Sequence, residues 1–139
     1  YQMVSGYRRV IEAEEAWKGK KILLTIDGAA HDSEVFLNGE KVGEHHCGYT
    51  AFTMDISGVL RYGEKNILVV KVDSREDLNI PPFGYVIDYM TYGGIYRDVY
   101  LDIKNKDYIE DIFIRTNIGQ MDDQNAELIS EVTVQRTQE

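Results

Sequence analysis

Two residues, Asn38-Gly39, constrain this chain more than any others. Both tolerate a positive φ, which suits the tight turn that joins neighbouring antiparallel strands. Glu34 to Asn38 reads as the strand entering that turn, and Lys41 to His46 as the strand leaving it. The same two-residue period recurs along the chain. Tyr7 to Ala13 places Tyr7, Arg9, Ile11 and Ala13 on one face and Arg8, Val10 and Glu12 on the other. Lys20 to Asp27 alternates Ile22, Leu24 and Ile26 with Leu23 and Thr25. Phe52, Met54 and Ile56 share a face, as do Leu68, Val70 and Val72 of Asn66 to Asp73. Period two is the signature of strands, and no long helical period competes with it. Many short strands with frequent turn signals predict an all-β, antiparallel architecture. Gly28 to Ser33 reads as loop. Ser57 reads as the cap of one helical turn holding Val59 and Leu60, ended by Gly63.

With 139 residues, 43% of them hydrophobic, and only 2 prolines, the chain can build a core. No apolar run is long enough to cross a membrane. A formal net charge of -9 argues against a nucleic-acid backbone or an anionic membrane as partner. Cys47 is the single cysteine, so no intrachain disulfide forms and no compartment is forced, a cytoplasmic one being favoured. The opening Tyr-Gln-Met-Val-Ser-Gly is not a signal peptide and lacks an initiator Met, so the N-terminus reads as cut.

Several residue groups invite a ligand. Trp17 is either a stacking platform for a pyranose or a corner residue packed over the sheet edge. His45, His46 and Cys47 suggest zinc, but neighbours on an extended chain point to opposite faces, and His31 and Asp32 would have to come from another loop. Glu76 and Asp77, with Asp73, follow no EF-hand spacing. No metal or cofactor is therefore expected. The densest collection of hydrogen-bonding and aromatic side chains is Asp88 to Tyr92, held between the rigid Ile80-Pro-Pro-Phe-Gly-Tyr85 and the Gly93-Gly94 break. Beyond the glycines, Ile95 to Ile103 alternates as one strand, with Ile95, Val99, Leu101 and Ile103 on its apolar face. Arg97 falls on that face, and a carboxylate such as Asp73 or Asp55 is its expected partner. Asp88 and Asp98 do not make a catalytic carboxylate pair, because Asp98 lies within the strand.

Tyr92-Gly-Gly-Ile-Tyr-Arg-Asp-Val-Tyr-Leu101 resembles the end of the N-terminal sugar-binding domain of glycoside hydrolase family 2, the β-galactosidases, β-glucuronidases and β-mannosidases. Glu34 to Gly43 with Gly48 to Phe52, and Tyr62 to Asp73, resemble two further segments of that domain, in family order and at family-like spacing. Together they cover about residues 7 to 103. The resemblance implies a galactose-binding-domain-like jelly-roll β-sandwich over residues 1–104, lacking some early strands. Residues 105–139 then resemble a linker and the first two strands of a truncated second, immunoglobulin-like β-sandwich. It also implies a non-catalytic fragment of a retaining enzyme, most like a β-galactosidase, whose catalytic glutamates lie in a later TIM barrel. The expected partners are a terminal β-galactoside or related glycoside and the remaining domains of the same chain, with homo-oligomerisation left open. The family's sugar-contacting aspartate maps onto Asp88, with a loop cap as the competing role. Tyr89 and Tyr92 either line the same pocket or pack. An independent carbohydrate-binding module and a purely structural buttress remain as rival readings.

Overall fold

The computed structural model describes residues 2–80, 92–118 and 126–136. The chain divides into two compact units, Tyr1–Ile103 and Lys104–Glu139.

Among the described residues the first unit has nine strands: β1 (Val4–Glu12), β2 (Lys21–Ile26), β3 (Ala29–Ala30), β4 (Asp32–Leu37), β5 (Glu40–His46), β6 (Phe52–Asp55), β7 (Lys65–Asp73), β8 (Gly94–Ile95) and β9 (Val99–Lys104). They form a four-stranded sheet in the order β1-β7-β4-β5, a three-stranded sheet β6-β2-β9, and the short pair β3-β8. The β1-β7, β7-β4 and β4-β5 pairs are antiparallel, as is β2 with β6. Alternation in the sequence becomes a core between the two larger sheets. Val35 and Leu37 of β4 and Leu68, Val70 and Val72 of β7 meet Ile22, Leu24 and Ile26 of β2 and Met54 of β6. Ile22, Ile26, Val35, Leu37 and Val72 are fully buried. Burying such side chains contributes about 1.5–3 kcal/mol each, which makes this seam the main source of stability. Trp17, in the 3-10 turn Glu15–Trp17, packs half-buried against it, matching the corner reading.

The Asn38-Gly39 turn forms as its composition requires, with φ of 54° and 89°. Both central residues are left-handed, the geometry whose twist matches the flanking strands.

Three local expectations need correction. Ile95 to Ile103 is two strands, not one, interrupted at Tyr96 to Asp98. Tertiary bonds pull the chain out of register there: Tyr96 N donates to Gly28 O at 3.2 Å and Asp27 N donates to Asp98 O at 2.9 Å. Gly28 to Ser33 is not all loop, because Ala29 and Ala30 pair with Ile95 and Gly94. The single turn after Ile56 forms, with Leu60 N donating to Ile56 O at 3.2 Å, but Ser57 is not its cap. Asp55 takes the capping role, accepting from Ser57 N at 3.0 Å, while Ser57 Oγ accepts from Ile22 N at 2.8 Å and so ties the turn to β2.

The second unit contains β10 (Tyr108–Ile118) and β11 (Ala126–Gln135), an antiparallel pair with a bulge between Ile109 and Asp111. The register places Ile109, Ile112, Ile114, Leu128, Val132 and Val134 on one face. All six are at least half exposed. Phe113 and Ile129 lie on the other face, so the apolar side is the richer of the two, which is how a strand pair that buries one side is patterned.

Candidate functional site

The Gly-Gly break anchors the site end of the first unit. Gly94 has φ of +81°, and a Cβ there would collide with the Tyr7 hydroxyl, so only glycine suits both the backbone and the space. Its amide donates to Ser74 Oγ at 2.9 Å, and that hydroxyl donates to Ala30 O at 2.8 Å. Ser74 is buried at 5% exposure. One hydroxyl thus clamps three segments: the β3 strand, the segment following β7, and the start of β8. His31 N, donating to Asp73 O at 3.0 Å, adds a second tie between the first two.

An aromatic group lies beside this clamp. Tyr92 stacks on Tyr96, with ring centroids 5.7 Å apart, and is well exposed. Tyr96 OH donates to Gly48 O, and its ring packs close to Gly28. Arg97 corrects the sequence expectation. It is exposed, lies over the Tyr96 ring at 5.2 Å and donates to Tyr49 O at 3.2 Å. Neither expected carboxylate takes it. Asp73 holds Arg75, whose Nε donates at 2.9 Å, and Asp55 holds Lys21 at 2.6 Å. Strand interruption at Tyr96 to Asp98 is the reason: it turns Arg97 off the apolar face.

Of the residues expected at the sugar, Tyr92 is thus placed on an aromatic pair next to the clamp. Asp88 and Tyr89 lie outside the described residues. Two residues of the surroundings were not visible in advance. Ser74 looks like an ordinary loop serine, and its clamp depends on segments far apart in sequence. His31 figured only as an improbable metal ligand, yet it is 3% exposed and its Nδ1 has no hydrogen-bond partner among the described residues. Burial lowers its pKa, partly opposed by the charges of Glu76 and Asp73. The Arg75 guanidinium holds the Asp73 carboxyl down to about 2.

The other histidines are engaged separately. His46 Nδ1 donates to Asp32 Oδ1 at 2.6 Å, and His45 Nε2 is hydrogen-bonded to Thr50 Oγ1 at 2.8 Å while stacking on Phe52. Hydrogen bonds to Thr50 lower the pKa of the Cys47 thiol. Among the described residues no three His, Cys, Asp or Glu side chains are grouped to hold a metal ion. Two edge strands, β1 and β9, border a groove of about 570 Å³ lined by Tyr7, Arg9, Leu68, Val70, Ile95 and Val99. Val99, on the groove wall, is therefore more than a third exposed instead of sealed in the core, and Ile103, outside the groove, is also more than a third exposed.

Comparison with known proteins gives this arrangement a family. Residues 1–105 match the family described as glycosyl hydrolases family 2, sugar binding domain. The chain is 42% identical over 135 residues to a beta-galactosidase of Thermoanaerobacter pseudethanolicus, covering 96% of this chain and 18% of that protein. It is 40% identical over 103 residues to a beta-glucuronidase of Bacteroides fragilis, covering 74% of this chain and 14% of that protein. Among solved structures, the beta-D-glucuronidase of Dictyoglomus thermophilum superposes with a TM-score of 0.82 at 28% identity, over 96% of this chain and 26% of that one. The chain therefore spans less than a fifth of the length of these two curated relatives. The likeness to solved family structures assigns the two-sheet sandwich to the jelly-roll type. In sequence over residues 1–105 and in fold, the chain belongs to glycosyl hydrolases family 2 and carries that family's sugar binding domain.

Proposed function

We propose that this chain is the non-catalytic, substrate-positioning part of a retaining β-galactosidase. The observation that carries the reading is the family match over residues 1–105, joined to a relative named beta-galactosidase over 96% of the chain. In this reading Asp88 accepts two hydroxyls of a terminal β-galactoside and fixes the ring's orientation for chemistry performed elsewhere in the enzyme. Tyr89 and Tyr92 flank the sugar. The carboxylate pair that cleaves the bond with retention, about 5–5.5 Å apart in such enzymes, is supplied outside this chain. Residues 105–139 are the opening hairpin of an immunoglobulin-like β-sandwich domain, a role supported by the six-residue apolar face that a second sheet would cover.

A second reading has its own support. A relative named beta-glucuronidase is 40% identical, and the same name attaches to the superposed structure, so a β-glucuronide is the rival substrate.

The test is kinetic. The enzyme that carries this chain is assayed on nitrophenyl β-galactoside and nitrophenyl β-glucuronide, beside the 139-residue chain alone. The account expects a kcat/KM for the galactoside at least tenfold higher and no turnover by the chain alone. Preference for the glucuronide would transfer the substrate assignment to the second reading. Turnover by the chain alone, undiminished by further purification, would refute the non-catalytic role.

A further inference from the structure

Asn38-Gly39 is a reactive pair as well as a turn. Glycine has no side chain to shield its amide, so in an open chain the nitrogen of a Gly that follows Asn can close on the asparagine Cγ. Gly39 is exposed, and a Cβ added to it would touch nothing. What opposes the reaction is the hold on the Asn38 carboxamide. Its Nδ2 donates to Asn66 Oδ1 at 2.8 Å and to Val59 O at 3.3 Å, and its Oδ1 accepts from Ile67 N at 3.0 Å. The backbone is held too, with Asn38 N donating to Ile67 O at 2.9 Å. Attack on Cγ makes that carbon tetrahedral and expels Nδ2, and neither change is compatible with all three side-chain bonds in place.

The chemistry needs only water and base. Hydroxide takes the proton of Gly39 N, and the nitrogen forms a bond to Asn38 Cγ. The Cγ–Nδ2 bond breaks, and Nδ2 takes a proton from water and leaves as ammonia. Water then opens the five-membered imide at either carbonyl, giving aspartate or isoaspartate. In sum, one amide and one water become one carboxylate and one ammonium, with no oxidation or reduction.

Neither product fits the site. An aspartate oxygen in the place of Nδ2 sets an acceptor against Asn66 Oδ1 and Val59 O. Asn66 cannot turn its amide to answer, because its Oδ1 also accepts from Arg61 N while its Nδ2 donates to Arg61 O and Glu64 O. Isoaspartate adds a methylene to the main chain of a tight turn whose length sets the register of β4 on β5.

We propose that Asn38 is a deamidation site gated by its network with Asn66: it reacts when the β4–β5 turn opens locally, and the product then weakens the re-formed turn. Local opening of this kind requires less free energy than global unfolding. The lesion is irreversible and independent of which glycoside the enzyme takes.

The test follows Asn38 by peptide mass spectrometry, with chromatographic separation of isoaspartate, in the enzyme that carries this chain at mildly alkaline pH. A synthetic peptide of Phe36 to Lys41 gives the rate of the open chain. The folded parent is expected to react at least about tenfold more slowly than the peptide, and Asn66→Ala to move well towards the peptide rate. Gly94→Ala, destabilised at a distant corner, is expected to stay within about twofold of the parent, because the opening is local. Asn38→Asp tolerates the left-handed backbone as asparagine does, so its expected lower melting temperature reads the carboxylate alone. A parent as fast as the peptide, a folded Asn66→Ala as slow as the parent, or a Gly94→Ala as fast as Asn66→Ala would overturn the gate. An Asn38→Asp melting temperature equal to the parent's would overturn the effect of the product. If Asn66→Ala does not fold, the parent in urea below its midpoint decides: a rate that climbs towards the peptide's supports the gate, and a flat rate overturns it.

Discussion

Asn38 Nδ2 donates to Asn66 Oδ1 across 2.8 Å, joining the β4–β5 turn to the start of β7. The partnership is denser than one bond. Asn38 Oδ1 accepts from Ile67 N at 3.0 Å. Asn66, fully buried, also accepts from Arg61 N at 2.8 Å and donates to Arg61 O at 2.9 Å and Glu64 O at 3.1 Å. The turn residue chosen for its positive φ therefore also closes a buried polar network.

Asn66→Ala removes the hub of that network and leaves Arg61 N and two carbonyls without this partner. The expected loss is about 2–4 kcal/mol of unfolding free energy, read from urea midpoints at an unchanged slope. A loss below about 1 kcal/mol would show that water or local relaxation replaces these bonds.

Gly94→Ala tests the left-handed corner at the clamp. The φ of +81° and the Tyr7 hydroxyl both oppose a Cβ. Destabilisation of about 1–3 kcal/mol is expected, with part recovered in the Gly94→Ala/Tyr7→Phe double variant, since removing the hydroxyl relieves the collision but not the backbone strain. Thermal melts of the four proteins check it, and full recovery would mean that the backbone conformation contributes nothing.

Acid should weaken the four-stranded sheet in a defined window. Hydrogen bonds from Lys41 and Lys71 hold the Glu34 carboxyl down to about 2, and Arg75 does the same for Asp73. Both folded pKa values lie below the ordinary carboxylate range of about 4, so the unfolded chain binds protons first as the pH falls. The contribution is fully present above about pH 5 and is lost progressively as the pH approaches 2. The melting temperature should fall through that window, and the Glu34→Gln variant should show a shallower slope. Because both lysine bonds are surface contacts, 0.5 M salt should also flatten it. A Glu34→Gln slope identical to the parent's would remove Glu34 from the account.

The strands and the hairpin were legible because their signals are local. Asn38-Gly39 dictates its own turn, and Leu68, Val70 and Val72 mark the inward face of β7 through alternation alone. The break at Tyr96 to Asp98 was not, because apolar alternation resumes in phase on either side of Arg97; the interruption comes from Gly28 and Asp27, some seventy residues earlier in the chain. Arg97 was misassigned for the same reason. Tyr92 could be picked out by composition, but its stacking on Tyr96 could not. The His31 nitrogen, unpaired among the described residues, carried no sequence signal, since burial and a missing partner are properties of the packed molecule.

The central claim is that this domain positions a sugar through Asp88, and the most direct test is Asp88→Asn in the enzyme that carries this chain. The substitution keeps the shape, removes the charge and turns one acceptor into a donor. The account predicts a loss of roughly 2–4 kcal/mol of transition-state stabilisation, about two to three orders of magnitude in kcat/KM, with a melting temperature that hardly moves. Asp98→Asn, whose side chain is exposed, is the control and should leave both nearly unchanged. Near-normal kinetics for Asp88→Asn, or unfolding without a specific kinetic defect, would contradict the account and leave Asp88 as a loop cap.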